Sequence, residues 1–475
     1  MTQEQSARLL PQKPSRWAKI LLNRKVPILL FFLLELAFLV FSYLSLQEHF
    51  PSIILWEHLL SVFTFFYLLN RSMDSRSKLS WVIIIALFPI FGTALLYFSL
   101  ADLGVRRLKK RLEDATVQAS DYLSTDPEVA DYLSQSDRQL QKLAYFLEHS
   151  PAQFPIYRDT EVTYFPLGDD MLPALLEDLK KAERYIFMEY FIIEEGIMFN
   201  SILSILEEKV KQGVEVRIMY DDMGSLGTLP ASYAKQLEKK GIKAVSFNRI
   251  SPIINTIMNH RDHRKILVID GKVAFSGGAN LADEYINKKV KYGHWMDNII
   301  CIKGKAVWSY LVMFLTNWNA LRHEDDDYTV FKNSKIVDET SFDGYIAPYA
   351  ETPLDQELTG QSVYEDLLNS ANEYVYIMTP YLIIDSEMIN TLIHTAKKGV
   401  DVRIIMPGIA DKQIVHDMGT TYYAQLIQGG VKIYEYTPGF IHGKVCIIDD
   451  SSALVGTVNM DFRSYYQHYE CGVWM

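Results

Sequence analysis

The sequence predicts an α-helical membrane segment followed by two α/β domains built on one plan. Three observations predict it. Three long apolar runs crowd the first hundred residues. A strand–helix–glycine–strand pattern occurs twice after residue 150. Each occurrence then leads to the same short polar motif at the same internal spacing. A chain of 475 residues is too long for one ordinary domain and has room for two or three.

The apolar runs extend from Val26 to about Leu46, from Ser52 to Leu69, and from about Leu79 to Leu100. Each is close to the ~20 residues that cross a hydrocarbon core. The first is too long for a cleaved leader, and no small-residue cleavage site follows it. Arg8, Lys13, Arg16, Lys19, Arg24 and Lys25 precede it, whereas the loop Gln47–Pro51 has no Lys or Arg. Positive-inside bias therefore puts the N-terminus in the cytoplasm. Arg71, Arg76 and Lys78 precede the third run, and Arg106, Arg107, Lys109, Lys110 and Arg111 follow it. A simple third span would separate those clusters. Pro89 and Gly92 near its middle predict instead a kinked or re-entrant segment. The expectation is a multi-pass cell-membrane protein with a membrane segment over 1–104 and a polar helical linker over 105–150. The domains beyond would face the cytoplasm. Glu35, Glu57 and His58 lie in or near the runs and receive no chemistry.

The first α/β domain is expected over 151–335 and the second over 336–475. In the first, the apolar run Tyr185–Ile193 is followed by a helical pattern ending Lys211-Gln212-Gly213 and by alternating Val214–Tyr220. In the second, Tyr374–Met378 is followed by a helical stretch ending Lys397-Lys398-Gly399 and by Val400–Met406. Strand, helix, glycine stop and strand form the βαβ signature.

The motifs are His263-Arg264-Lys265-Ile266-Leu267-Val268-Ile269-Asp270 and His442-Gly443-Lys444-Val445-Cys446-Ile447-Ile448-Asp449. Both read His-x-Lys-x4-Asp. Asn280 and Asn459 follow glycine-containing turns, and the His-to-Asn interval is 17 residues in both copies (263 to 280, 442 to 459). His and Lys two apart on a strand share a face, and a glycine turn lets backbone come close to a ligand. Two copies brought together would put two His, two Lys and two Asn around one phosphodiester. Lysine ammoniums and asparagine amides would neutralise and orient its oxygens. One imidazole would attack phosphorus, and the other would protonate the leaving oxygen and then deprotonate the incoming hydroxyl. Asp297 and Glu470 lie 17 and 11 residues beyond Asn280 and Asn459. A carboxylate there would hold a histidine ring by its second nitrogen. No ligand cluster of the usual spacing accompanies His-x-Lys, so the site is expected to need no metal and no cofactor.

This double motif resembles the signature of the phospholipase D superfamily, over essentially the whole chain. The branch it is most similar to is the bacterial cardiolipin synthases. Met188–Phe191, Tyr220–Ser225, Asn259–Lys265, Gly277–Asn280, Tyr434–Tyr436 and Asn459–Ser464 carry that similarity, with the apolar N-terminal region ending in a Pro–Gly-containing run. The resemblance implies two phospholipase D-like α/β domains related by a pseudo-twofold, with the site between them. It implies His263 as nucleophile and His442 as acid/base, with Lys265, Lys444 and the motif aspartates Asp270 and Asp449 completing the catalytic set, the aspartates as supporting groups. It implies joining of two phosphatidylglycerols into cardiolipin with release of glycerol. Two departures stand out: an extra apolar segment beyond a two-span pattern, and a second copy that stops at Met475 in a strand where the first continues into the apolar helix Ala306–Leu321.

A net charge of −11 argues against a protein that coats phosphates through Lys and Arg, so nucleic acid is not an expected partner. Membrane lipids are. The three cysteines, Cys301, Cys446 and Cys471, are far apart and form neither a disulfide framework nor a thiolate metal motif. The rival readings are a phospholipase D-type hydrolase, or a transphosphatidylase with another acceptor. A non-catalytic lipid-binding membrane protein is the rival of a different class.

Overall fold

A computed structural model of the chain describes residues 53–71, 73, 75–100, 106–249, 259–324, 326–333, 344–355 and 357–475, with six more between 36 and 45. Most of the first apolar run, Glu35, the side chains of Glu57 and His58, and the boundary expected at 335/336 lie outside the described residues. Backbone contacts divide the chain into two compact units. One contains Pro11–Arg107, and the other joins Leu108–Arg249 to His260–Met475.

In the N-terminal unit the second apolar run forms the helix Ile53–Leu69. The third forms two helices, Ser75–Leu87 and Pro89–Leu100. The break falls at Phe88, where the following proline pushes the backbone out of the helical region. On one straight helix, Ile85 and Gly92 would stand about 10 Å apart. Here a Cβ added to Gly92 would lie 2.9 Å from the Ile85 Cα, so the run folds back on itself as a helical hairpin. Leu68, Ile85 and Leu96 are buried between the helices, and Thr64 and Thr93 share a hydrogen bond of 3.3 Å. Among the described residues no helix is long and apolar enough to cross a membrane.

The stretch expected to be a polar linker is three helices, Arg106–Ser120, Pro127–Ser134 and Arg138–His149. Asp126 and Asp137 cap the last two, accepting from Glu128 N and Gln139 N at 3.0 and 2.8 Å. Leu112, Leu133, Leu143 and Leu147 are buried in the main core. Each of the three helices thus contributes a buried leucine to the larger unit.

The two α/β halves repeat each other strand for strand. The first sheet runs, in spatial order, Thr160–Phe165, Ile299–Gly304, Val273–Gly277, Lys265–Ile269, Tyr185–Tyr190, Glu215–Asp221, Lys243–Phe247. The second runs Ala347–Glu351, His468–Trp474, Ser452–Gly456, Val445–Ile448, Tyr374–Met378, Asp401–Pro407, Lys432–Tyr436. In each, two successive helical crossovers make two parallel pairs, and the motif strand adds antiparallel beside the first strand of the three. Gly213 and Gly399 end the first crossover helices at φ +87° and +99°, where a side chain would strain the backbone.

The helix Val307–Arg322 lies on the first sheet, stacking Phe314 on Phe187. Arg217 is packed against Phe187, Trp318 and Phe331, and its side chain is 3% exposed. At the matching position of the second sheet, Arg403 covers Tyr376 and is 40% exposed.

Candidate active site

The motif strands begin at Lys265 and Val445, so each motif histidine stands just before its strand. Its backbone is held by the opposite half. Arg261–Asp262 pairs in parallel with His468–Tyr469, and His263 N donates to Tyr469 O at 2.9 Å. Gly439–Ile441 pairs in parallel with His294–Met296, and His442 N donates to Met296 O at 2.7 Å. These exchanged strands make the pseudo-twofold concrete: each half grips the other's histidine.

The side chains repeat the exchange. His263 Nδ1 lies 2.8 Å from Glu470 Oε2, and His442 Nδ1 lies 3.0 Å from Asp297 Oδ2. Both carboxylates are fully buried, yet both are held below the usual carboxylate range. Burial by itself would raise them. The positive charge that the partner histidine gains in acid, its hydrogen bond and the neighbouring Lys444 or His468 more than offset that. An ionised carboxylate only accepts, so Nδ1 carries the proton on each imidazole and Nε2 keeps its lone pair.

Lys265 Nζ donates to the His263 carbonyl and Lys444 Nζ to that of His442. Lys265 also lies 5.4 Å from the Phe191 ring centroid, and that ring meets His263 edge-on at 4.9 Å. The two motifs are mutual neighbours. The charge of Lys265 depresses both His442 and Lys444, and Asn280 Nδ2 donates at 2.7 Å to Tyr285, whose ring meets His442 edge-on at 5.5 Å. Asn280 Oδ1 accepts from Ile192 N at 3.0 Å, whereas the buried Asn459 Oδ1 has no partner among the described residues. The glycine turn before Asn280 is corrected in meaning. A Cβ on Gly278 would stand 2.0 Å from Asp297 Oδ1, so the room that glycine leaves is taken by the supporting carboxylate, not by a ligand.

Asp270 and Asp449, grouped above with the catalytic residues, stand at the far end of their motif strands. Asp270 accepts from Glu183 N, Arg184 N and Tyr185 N, each at 2.8 Å. Asp449 accepts from Asn372 N, Glu373 N and Tyr374 N at 2.7, 2.9 and 2.9 Å. Both sit at positive φ, +53° and +50°, which aspartate tolerates better than most residues. They fasten the motif strand to the start of its neighbour. Asp270→Ala is therefore expected to lower unfolding free energy by about 2–4 kcal/mol, from unmet donors and backbone strain. Asp449→Ala is expected to lose less, because Asp449 is partly exposed where Asp270 is buried. Denaturant melts check the order, with kcat of the folded fraction expected within about threefold of wild type.

Burial pushes His442 down to about 4 and His263 well below its ordinary value, so both are neutral in the empty site. Burial likewise lowers Lys265 to about 8 and Lys444 to about 7. A bound phosphate anion favours the charged lysines and raises both again. Binding must then take up protons wherever the empty site has lost them. Affinity for tungstate, whose charge is constant above neutrality, is expected to fall as pH rises through 7–9, by up to about tenfold per unit for each lysine that titrates. Calorimetry in buffers of different ionisation enthalpy measures the uptake directly.

Several neighbours carry no repeated signal in the sequence. Asn298 Oδ1 accepts from Lys444 N at 2.7 Å, locking the first half to the second motif. Thr457 and Ser464 donate to Glu470 at 2.6 and 2.8 Å. His468 Nδ1 also lies 3.3 Å from Glu470. His263, His468 and Glu470 bring ligand-type atoms within 4.8 Å of one another, a grouping that linear spacing hides. Both Glu470 oxygens already have donors, and the Lys265 charge acts on the same site. The three cysteines are buried and free.

Two like α/β halves, exchanging strands around paired imidazoles and lysines, define a phospholipase D-type fold. Residues 175–312 and 364–475 match the family described as cardiolipin synthase, PLD-like domain, and residues 59–99 match the phospholipase D-nuclease N-terminal family. The chain belongs to the phospholipase D-like cardiolipin synthase family. It is 31% identical to the cardiolipin synthase of Alkalihalophilus pseudofirmus over 470 residues, covering 96% of this chain and 90% of that one. It is 33% identical to cardiolipin synthase 2 of Bacillus anthracis over 418 residues, 86% and 79% of the two chains. An uncharacterized protein of Streptococcus mutans is 48% identical over 409 residues, 86% and 88% of the two chains. The crystal structure of phosphatidylserine synthase from Haemophilus influenzae shares the fold, with a TM-score of 0.51 at 14% identity, covering 71% of this chain and 86% of that one.

Proposed function

We propose that this enzyme joins two phosphatidylglycerols into cardiolipin and releases glycerol. His263 Nε2 attacks the phosphorus of the first lipid, and the bond to its headgroup glycerol oxygen breaks. Binding of the phosphate anion favours the charged form of His442, which takes a solvent proton onto Nε2 and passes it to that oxygen as glycerol leaves. The product is a phosphatidyl group on His263. His442, now neutral, takes the proton of a headgroup hydroxyl of the second phosphatidylglycerol. That oxygen attacks phosphorus, the P–N bond breaks, and His263 is regenerated. Lys265, Lys444, Asn280 and Asn459 hold the phosphate oxygens.

The observation that carries the reading is the crossed pair His263–Glu470 and His442–Asp297. Each leaves an Nε2 lone pair on a motif imidazole, with two lysines beside them. The cardiolipin synthases among its relatives favour cardiolipin as the product. Incubating the purified protein with phosphatidylglycerol alone tests it. Cardiolipin with stoichiometric glycerol is the expected result. Phosphatidic acid as main product would favour the hydrolase, and no turnover the binding protein.

Membrane attachment belongs to the same proposal. In the N-terminal unit Trp56, Phe63, Phe66, Leu79 and Leu87 are exposed, while Gly92, Thr64 and Thr93 lie between helices. Large apolar groups outside and small ones inside suit a lipid surround. The basic clusters favour a cytoplasmic catalytic unit. Ser232→Cys, at an exposed position in a background lacking Cys301, Cys446 and Cys471, tests the side. Labelling by an impermeant thiol reagent is expected only after permeabilisation, and labelling in intact cells would place the unit outside.

A further inference from the structure

The supporting carboxylates each have a ring beside them. Trp295 stands two residues before Asp297, and its Nε1–H donates to Asp297 Oδ2 at 3.2 Å. His468 stands two residues before Glu470, and its Nδ1 lies 3.3 Å from Glu470 Oε1. Residues two apart in extended chain share a face, and here that face meets the motif histidine of the other half. Tryptophan and histidine share little chemistry beyond a ring N–H. The pseudo-twofold has kept that N–H at the same place on both carboxylates.

We propose that His468 and Trp295 are equivalent positioning residues, each fixing by its ring N–H the carboxylate that orients a motif imidazole. The role rests on the reading of His263 and His442 as reacting groups. The His468 ring also lies 5.4 Å from that of His263, and the Trp295 ring 5.5 Å from that of His442, centroid to centroid. Glu470 has one more rotatable bond than Asp297, and it is held by more side-chain donors: Thr457, Ser464 and His468 besides His263. His468 is 8% exposed, and because the ionised Glu470 only accepts, its Nδ1 carries the proton. Nε2 is then a buried acceptor with no partner among the described residues. The proposal assigns function to Nδ1–H and none to Nε2.

Two substitutions at 468 separate the donor from the ring. His468→Asn keeps an N–H close to the Nδ1 position and loses the ring. His468→Phe keeps the ring and loses the donor. In full-length protein, His468→Phe is expected to lower kcat by about 10–100-fold, the range seen when an outer partner of a metal-bound imidazole is removed. KM is expected to stay within about twofold, and His468→Asn to recover most of kcat. ¹⁵N-histidine NMR gives a readout independent of turnover. The Nδ1–H tautomer of His263, identified by its loss in His263→Ala, is expected in wild type and His468→Asn and weakened in His468→Phe. Equal damage from Asn and Phe, or a Phe variant with normal kcat and an unchanged His263 tautomer, would overturn the proposal. A wild type that turns over no phospholipid would instead defeat the transferase reading, and the NMR comparison would still decide the positioning role.

Discussion

His263→Ala and His442→Ala are each expected to reduce turnover of phosphatidylglycerol by about 10³-fold or more, to near background. The size follows from the division of labour. One imidazole forms and breaks the bond to phosphorus, and the other moves both protons, so neither half-reaction survives the loss of either. Groups that act as one unit are non-additive, and the double variant should be little worse than the singles. The fold should persist. Each histidine is tied to the opposite half by its backbone N–H, which alanine retains. Glu470 keeps Thr457, Ser464 and His468 as donors after His263 is removed. Melting temperatures within a few degrees of wild type, with product below detection, are the expected pair of measurements. Substantial product from either variant at normal expression would refute the two-histidine mechanism.

The parts of this molecule that repeat were legible in its sequence. A duplicated βαβ pattern and a duplicated His-x-Lys-x4-Asp fix strand types and put both histidines at strand starts, because period-two alternation and a glycine stop are local signals. Asp297 and Glu470 were found for the same reason, since each falls near the next strand after an asparagine. Which histidine each one serves was not legible. The crossing depends on strand exchange between halves, and nothing local to residues 294–296 or 468–474 encodes a partner more than 140 residues away. His468, Trp295 and Asn298 were missed because the repeat does not preserve their residue type. The resemblance gives Asp270 and Asp449 a supporting place, but not its form, since the three backbone N–H groups that meet each carboxylate come from the start of a strand more than 70 residues away. Pro89 and Gly92 did announce the bend in the third apolar run. The burial of residues 106–149 stayed hidden, since charged residues cover the outer faces of those helices.

Replacing the supporting carboxylates by isosteric amides, Glu470→Gln and Asp297→Asn, is expected to lower kcat by about 10²–10⁴-fold. In triads of serine, histidine and aspartate the same exchange costs about 10⁴ while leaving the geometry intact. The argument here is about the proton. Both carboxylates are held below the ordinary range, so they are ionised at neutral pH and present acceptors only. An amide brings N–H donors. Facing Nδ1, it stabilises the tautomer with the proton on Nε2, and that tautomer neither attacks phosphorus nor accepts the acceptor's proton. It also removes the charge that offsets an imidazolium during transfer. Glu470→Gln meets a second conflict, because the Glu470 oxygen that faces His263 also accepts from Thr457, and an amide nitrogen there cannot. Of the two variants it should therefore lose more, in stability as well as in rate. The halves predict different kinetic signatures. Glu470 orients the nucleophile, so Glu470→Gln should slow formation of the phosphatidyl-enzyme, read as acid-labile phosphate on protein after rapid quench. Asp297 orients the acid/base, so Asp297→Asn should also slow its transfer to the second lipid. Wild-type-like rates in either variant, or equal accumulation of phosphatidyl-enzyme in both, would defeat the assignment of His263 as nucleophile and His442 as acid/base.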